Sequence, residues 1–291
     1  MSFPPNLFII GAQKAGTTFL ATLLDQHPDI ALASPKETNF FTQHWDKGIS
    51  WYRGHFSETG KKYLIDASPS YSAAPLESSN PEKVALSPLH GVPERIASIS
   101  PESKFIYLLR DPVKRTYSSY WHSVRGGYEE RPFNEVINDP YYLRMGQYYR
   151  QLELYLKHFS RDSFLIIFFE EFIKEPEVTA NRCFSFLGLE HLDIFEMDRG
   201  KNETFAYGLL LSKLNKLLSP FNGMKHISNL ARKVLPRVMI KKITKSMTKP
   251  IPPMTDIDRE KLAKFFYPEN IRIEKELGLT LPNWTCPENH E

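Results

Sequence analysis

One stretch constrains the fold of this 291-residue chain more than any other: residues 6–24, NLFIIGAQKAGTTFLATLL. Leu7 to Ile10 form an apolar run that reads as a short buried strand. Gly11 to Gly16 follow as a loop, and Thr17-Thr18 open a helix whose apolar positions are Phe19, Leu20, Leu23 and Leu24. A strand, a glycine-bounded loop and a helix N-terminus make an anion site, because backbone N–H groups point inward and the helix dipole adds partial positive charge. Gly11 and Gly16 keep the spacing of the phosphate loop G-x-x-x-x-G-K-[ST]. The residue after Gly16 is Thr17 instead of lysine, and the loop's only lysine, Lys14, lies inside it. The charge thus moves from the far phosphates toward the phosphate held in the loop. Gly11, Lys14, Ala15, Gly16, Thr17 and Thr18 are the candidate binding residues, and the two threonines read equally well as helix caps.

The periodic signals alternate along the chain. Strands are expected at 63–66, 104–109 and 163–169, with a short extended piece at 30–32. Helices are expected at 93–100, from Asp111-Pro112 to Gly126-Gly127, at 146–159 and at 176–187. Residues 77–90 read as a surface loop and 128–144 as an irregular excursion. Helical segments are expected at 207–218, 227–243, 256–266 and 269–277. Strands separated by helices of this length predict an α/β domain spanning residues 1–291, with a parallel sheet of about four or five strands flanked by helices. Arg110 falls at the carboxyl end of a strand, where such sheets bind ligands, and Ser118 two turns into the next helix. An ion pair with Asp111 is the plainer role for Arg110.

Composition narrows the function classes. The two cysteines, Cys183 and Cys286, do not make a disulfide scaffold and read as free thiols. No His or Cys pair stands at metal-ligand spacing, so no metal is expected. No apolar stretch reaches membrane-spanning length, and MSFPPN lacks the basic and apolar segments of a leader. The expectation is a cytoplasmic protein. The net charge of +3 conceals an asymmetry: residues 204–255 contain no Asp or Glu but ten Lys or Arg. Such a stretch attracts a nucleotide, a polyanionic acceptor or an anionic surface. It is expected to cover the site, with Lys245 and Lys249 as candidate phosphate ligands. Nothing points to nucleic acid, and the oligomeric state is not legible.

The segments GAQKAGTT, LLDQHPDI and KETNFF, followed by LLRDPVKRTYSSYWH, resemble the sulfotransferases that use 3′-phosphoadenosine 5′-phosphosulfate. Within them they resemble the group containing the heparan sulfate sulfotransferases and their bacterial relatives. The likeness is strong over residues 5–41 and 104–124. It is weaker in PPMTDIDREKLAKFFYPENIRIEKELGLTLPNW. The resemblance implies a phosphate-loop-like fold and sulfuryl transfer from that co-substrate to a hydroxyl or amine, with a carbohydrate or small-molecule acceptor. It also implies that Glu37 is the catalytic base, that Lys14 stabilises the leaving 5′-phosphate, and that Arg110 and Ser118 hold the 3′-phosphate. Asp66 and His122 are the alternative bases. Asn39, Phe40 and Phe41 would wall the acceptor side, with core packing as the plainer role of Phe40. This chain has Ala67 where the heparan-type pattern has lysine, so Lys36 or a C-terminal lysine is left to supply that charge. His27 reads as structural. A kinase or nucleoside triphosphatase, and a nucleotide-binding protein without catalysis, remain as alternatives.

Overall fold

The computed structural model describes residues 3–75, 87–193, 195–196, 205–207 and 248–288. Its frame is a five-stranded sheet, β1 (Leu7–Gly11), β2 (Ile30–Leu32), β3 (Tyr63–Asp66), β4 (Lys104–Leu109) and β5 (Phe164–Phe168). The order is β2-β3-β1-β4-β5 and every pairing is parallel. The sheet matches the expectation from sequence. β1 lies in the middle and is buried along its whole length, which is why it reads as an unbroken apolar run. Phe8, Phe105 and Phe164 stand in register on β1, β4 and β5. Their rings stack at 5.7 and 4.7 Å. Burial of each contributes roughly 1.5–3 kcal/mol, so this aromatic row fixes the three strands that carry the site.

The helices are α1 (Thr17–Leu24), α2 (Phe40–Gln43), α3 (Gly48–Arg53), α4 (Val92–Ile99), α5 (Pro112–Gly126), α6 (Phe133–Val136), α7 (Pro140–Leu143), α8 (Tyr148–Leu156), α9 (Phe169–Phe172), α10 (Pro176–Leu187) and α11 (Asp256–Leu277). α1 packs against α10, and α8 packs against α4 and α11. Asp111 caps α5 by accepting from the backbone N–H groups of Val113 and Lys114, with Pro112 at the first helical position. Its other oxygen accepts from the backbone and hydroxyl of Thr285. Glu170 links the Asp111 backbone to the Trp284 indole. The C-terminal segment is thereby bound at the end of β4, where Arg110 emerges.

Three expectations differ from the structure. Residues 128–144 are not irregular throughout but contain α6 and α7, whose Val136, Tyr142 and Leu143 are buried. The two C-terminal helices are one, α11, with Pro268 inside it. Leu262, Phe266, Asn270 and Ile273 form a buried stripe at helical spacing across the proline, and this packing outweighs the backbone hydrogen bond that Pro268 cannot donate. Phe40 and Phe41 are 1% and 0% exposed, stacked on Tyr52, Trp45 and Tyr71 in the core, so they do not wall an acceptor site. Residues 208–247, with the two helical segments expected there and nine of the ten basic residues, lie outside the described residues, as does most of the expected loop 77–90. What is described of that region is a two-stranded antiparallel pair, β6 (Phe205–Tyr207) with β7 (Thr248–Pro250), lying beside α5.

Candidate active site

The loop between β1 and α1 is built by close approach. Gly11 has φ +155, and a Cβ there would lie 2.1 Å from Ser72 Oγ. Ala12 donates its N–H to the carbonyl of Leu108, 2.6 Å away, and the Ala15 N–H donates to Ala12 O. Gly16 is the N-cap of α1, at φ +86. A Cβ at Gly16 would press on Phe169 and Phe172 at 3.3 Å. Because the cap has no side chain, the hydroxyls of Thr17 and Thr18 do not serve as the cap, which removes the plainer of their two roles. Thr17 is buried and Thr18 exposed at the start of the helix. Lys14 itself sits in the left-handed region, φ 71. A side chain held there costs roughly 1 kcal/mol, a strain typical of functional loops.

Arg110 joins the loop from the next strand. Its Nη1 donates to the Lys14 carbonyl at 2.8 Å, and its guanidinium lies 4.6 Å over the Phe169 ring. Tyr148 donates its hydroxyl to the Arg110 carbonyl at 2.6 Å. Arg110 Nε is buried and has no hydrogen-bond partner among the described residues. The plainer alternative for Arg110, an ion pair with Asp111, is thus not what the structure holds: Arg110 is bound to the loop, and Asp111 takes Lys114 at 3.1 Å. Ser118 is nearly buried on α5, and Ser119 donates to Gln13 Oε1 at 2.7 Å, fastening that helix to the loop.

Glu37 arrives from the other side of β1, between β2 and α2. It is half-exposed and pairs with Lys36 Nζ at 2.9 Å. The same ammonium donates to the Ala67 carbonyl at 2.9 Å. Lys36, one of the two ways left open to supply a charge at Ala67, reaches the Ala67 carbonyl; of the C-terminal lysines, Lys245 lies outside the described residues and only the backbone of Lys249 is described. Beneath this loop lies Asp66, fully buried at the end of β3. It accepts hydroxyl hydrogen bonds from Thr38 (2.6 Å), Ser68 (2.6 Å), Tyr71 (2.6 Å) and Tyr52 (2.9 Å). Burial pushes its pKa up and these four donors pull it down. A carboxylate so enclosed has no access to an acceptor, which removes Asp66 as a base. Asn39, at φ 50, closes the turn with its amide oxygen on Ser70 Oγ at 2.7 Å.

Electrostatic interactions link these segments. Burial and then the charges of Arg125 and Arg110 lower the Lys14 pKa, Glu37 raises it, and together they leave it at about 8. Burial, Lys14 and Arg125 lower the His122 pKa to about 4, against Glu37. Lys14 thus lies within electrostatic reach of Glu37, Arg110 and Arg125, and His122 within reach of Lys14, Arg125 and Glu37, five residues drawn from the β1–α1 loop, the β2–α2 loop and the β4–α5 unit. Arg125 is the member that sequence reasoning passed over. Its signal is helical spacing, since Ser118, His122 and Arg125 stand at i, i+4 and i+7 on α5. His27 is structural, as expected: its Nδ1 accepts from the Asp29 N–H and its ring lies against Phe184. Among the described residues, no group of three His, Cys, Asp or Glu comes together to hold a metal.

A phosphate-type loop on the central strand of a parallel sheet, with a half-buried lysine inside it and none after its second glycine, defines a P-loop-like α/β protein with an anion site. Residues 4–204 match the sulfotransferase domain family, and the chain belongs to it. It is 28% identical over 65% of its length to human (Homo sapiens) heparan sulfate glucosamine 3-O-sulfotransferase 3B1, covering 47% of that protein. It is 27% identical over 98% of its length to bifunctional heparan sulfate N-deacetylase/N-sulfotransferase 4 of Mus musculus, covering 31% of it. The chain therefore spans about half or less of the length of the curated relatives it matches. A sulfotransferase from Alicyclobacillus acidocaldarius shares the fold, with TM-score 0.65 and 24% identity over 95% of this chain and 97% of that one.

Proposed function

We propose that this protein transfers the sulfuryl group of 3′-phosphoadenosine 5′-phosphosulfate to a hydroxyl or amine of a carbohydrate acceptor. The observation that carries the reading is the phosphate-type loop on the central strand β1, with Lys14 inside it and Arg110 of the next strand bound to the Lys14 carbonyl at 2.8 Å. Family membership supplies the reaction class, and the relatives' names supply the carbohydrate. The site suits the co-substrate: the loop leads into the N-terminus of α1, which favours an anion, and Arg110 offers a buried Nε–H in need of an acceptor.

In this reading Glu37 accepts the proton of the acceptor O–H or N–H as that atom attacks sulfur. A bond forms from the acceptor atom to sulfur, and the bond from sulfur to the 5′-phosphate oxygen breaks in line. Lys14 and the N–H groups where the loop opens α1 at Gly16, Thr17 and Thr18 stabilise the charge that returns to the departing 5′-phosphate. Arg110, as a fork donor, and Ser118, by its hydroxyl, hold the 3′-phosphate. His122, neutral above about pH 4, is the second group able to take a proton. Catalysis is positioning plus electrostatics.

The test is transfer of radiolabel from the 35S-labelled donor to a heparan sulfate oligosaccharide, together with calorimetry of nucleotide binding. 3′-Phosphoadenosine 5′-phosphate should bind far more tightly than AMP, since a charge-assisted contact contributes on the order of 2 kcal/mol. Equal affinity for the two nucleotides, or turnover that requires magnesium and ATP, overturns the reading.

A further inference from the structure

Tyr128 lies just beyond the C-terminus of α5 and is 78% exposed, the second most exposed of the large apolar side chains among the described residues. Its position is nonetheless fixed. Gly127, at φ +75, turns the chain back, and the N–H groups of Gly127 and Tyr128 donate to the carbonyls of Val124 and Ser123. The ring packs onto the bare Cα of Gly126: a Cβ there would lie 2.5 Å from Tyr128 Cδ2 and Cε2. On the following side Glu129 accepts from the Arg131 backbone at 3.0 Å, from its guanidinium at 3.0 and 2.8 Å, and from the Tyr142 hydroxyl at 3.2 Å. An exposed aromatic ring is set here on a glycine, and the chain that follows it is fixed by a bidentate ion pair.

Its place on the helix gives it a use. Ser118, His122 and Gly126 stand at i, i+4 and i+8, so the ring over Gly126 continues the row that passes through the site. Arg125 is the neighbour of that glycine, and its charge acts on both Lys14 and His122. The row begins at Ser118, next to the serine bonded to Gln13 of the loop, and ends at an exposed aromatic ring three residues after Arg125. A rigid aromatic face takes up the C–H face of a saturated sugar ring at little entropic cost, and a neighbouring guanidinium takes an acidic substituent.

We propose that Tyr128, three residues after Arg125, is the stacking platform of the acceptor subsite and selects acceptors that present a sugar ring with an acidic substituent. The inference rests on the sulfuryl-transfer reading above. Tyr128 acts on acceptor binding and not on the chemical step.

The experiment compares wild type, Tyr128→Ala, Tyr128→Phe and Gly126→Ala, with the labelled donor and a heparan sulfate hexasaccharide as the acceptor probe. Tyr128→Ala should raise the acceptor KM about tenfold, with kcat within twofold and affinity for 3′-phosphoadenosine 5′-phosphate unchanged. Tyr128→Phe should behave as wild type. Gly126→Ala keeps the tyrosine but pushes its ring off the helix. It should raise KM as Tyr128→Ala does while Tm holds or rises, because alanine is the better helix former. A KM within twofold of wild type in both Tyr128→Ala and Gly126→Ala overturns the platform, and so does a parallel loss of nucleotide affinity. A wild-type protein that binds 3′-phosphoadenosine 5′-phosphate and sulfates 4-nitrophenol, yet neither binds nor sulfates the hexasaccharide, overturns the sugar subsite and leaves sulfuryl transfer standing. Failure to bind the nucleotide overturns the transfer reading itself.

Discussion

Lys36 holds two oxygens at once: its Nζ lies 2.9 Å from Glu37 Oε1 and 2.9 Å from the carbonyl of Ala67. The second contact ties the β2–α2 loop to the end of β3, and a backbone bond from Ala67 N–H to Lys36 O, at 3.2 Å, repeats the tie. The candidate base is thereby placed by its own neighbour in sequence.

Glu37→Gln keeps the size of that side chain and removes its ability to accept a proton. Turnover should fall by roughly 10²–10⁴, the usual contribution of a general base, with the nucleotide dissociation constant nearly unchanged. A single-turnover assay with calorimetry alongside reads both. Near wild-type chemistry in the variant assigns the base to His122.

Lys14→Ala should lower turnover by roughly 10²–10³ through loss of leaving-group stabilisation. If only nucleotide affinity falls, Lys14 binds without taking part in the step. The wild-type protein should also show a pH signature. The Lys14 pKa is lowered to about 8, so its charge is present at pH 7 and largely lost at pH 9. Affinity for 3′-phosphoadenosine 5′-phosphate should therefore weaken about tenfold between those values, and this slope should vanish in Lys14→Ala. Calorimetry in buffers of different ionisation enthalpy should detect proton uptake on binding above pH 8.

His122 should titrate near pH 4 by NMR, because burial and the charges of Lys14 and Arg125 disfavour its protonated form. Lys14→Met removes one of those charges and should move the titration upward, while the burial contribution persists. A titration at the ordinary histidine value in wild type would separate His122 from the site.

Asp66→Ala should destabilise the protein by on the order of 3 kcal/mol, since Thr38, Ser68, Tyr71 and Tyr52 lose a common buried acceptor. Urea unfolding measures this. The loss should exceed that of Glu37→Ala severalfold, because Glu37 is half-exposed and Asp66 is enclosed.

The sheet and the loop were legible because apolar runs such as residues 7–10 and 104–109 can be buried only as interior strands, and because Gly11 and Gly16 bound a loop whose length a helix start fixes. The cap of α5 was legible from Asp111-Pro112 for the same local reason. What was not legible depends on distant partners. Phe40 looked like an acceptor wall because nothing local reveals Tyr52 stacked on it at 4.1 Å. The Arg110 guanidinium reaches Lys14 O, 96 residues away, instead of adjacent Asp111, because Asp111 is occupied by its own helix and by Thr285. The join across Pro268 was hidden because proline rules are local, whereas the stripe from Leu262 to Ile273 is satisfied by another helix.

The central place of β1 also dictates an order of assembly. The anion loop leaves the ribosome well before its supports, since β1 pairs with β3 and β4, and β4 begins about a hundred residues later. The loop's first N–H, that of Ala12, waits for the carbonyl of Leu108, and the loop's brace at Gly16 waits for Phe169 and Phe172. The nascent chain therefore carries its most recognisable motif in an incomplete form until Phe172 has been made. A fragment ending before β5 contains every residue of the nucleotide signature and should not bind the nucleotide.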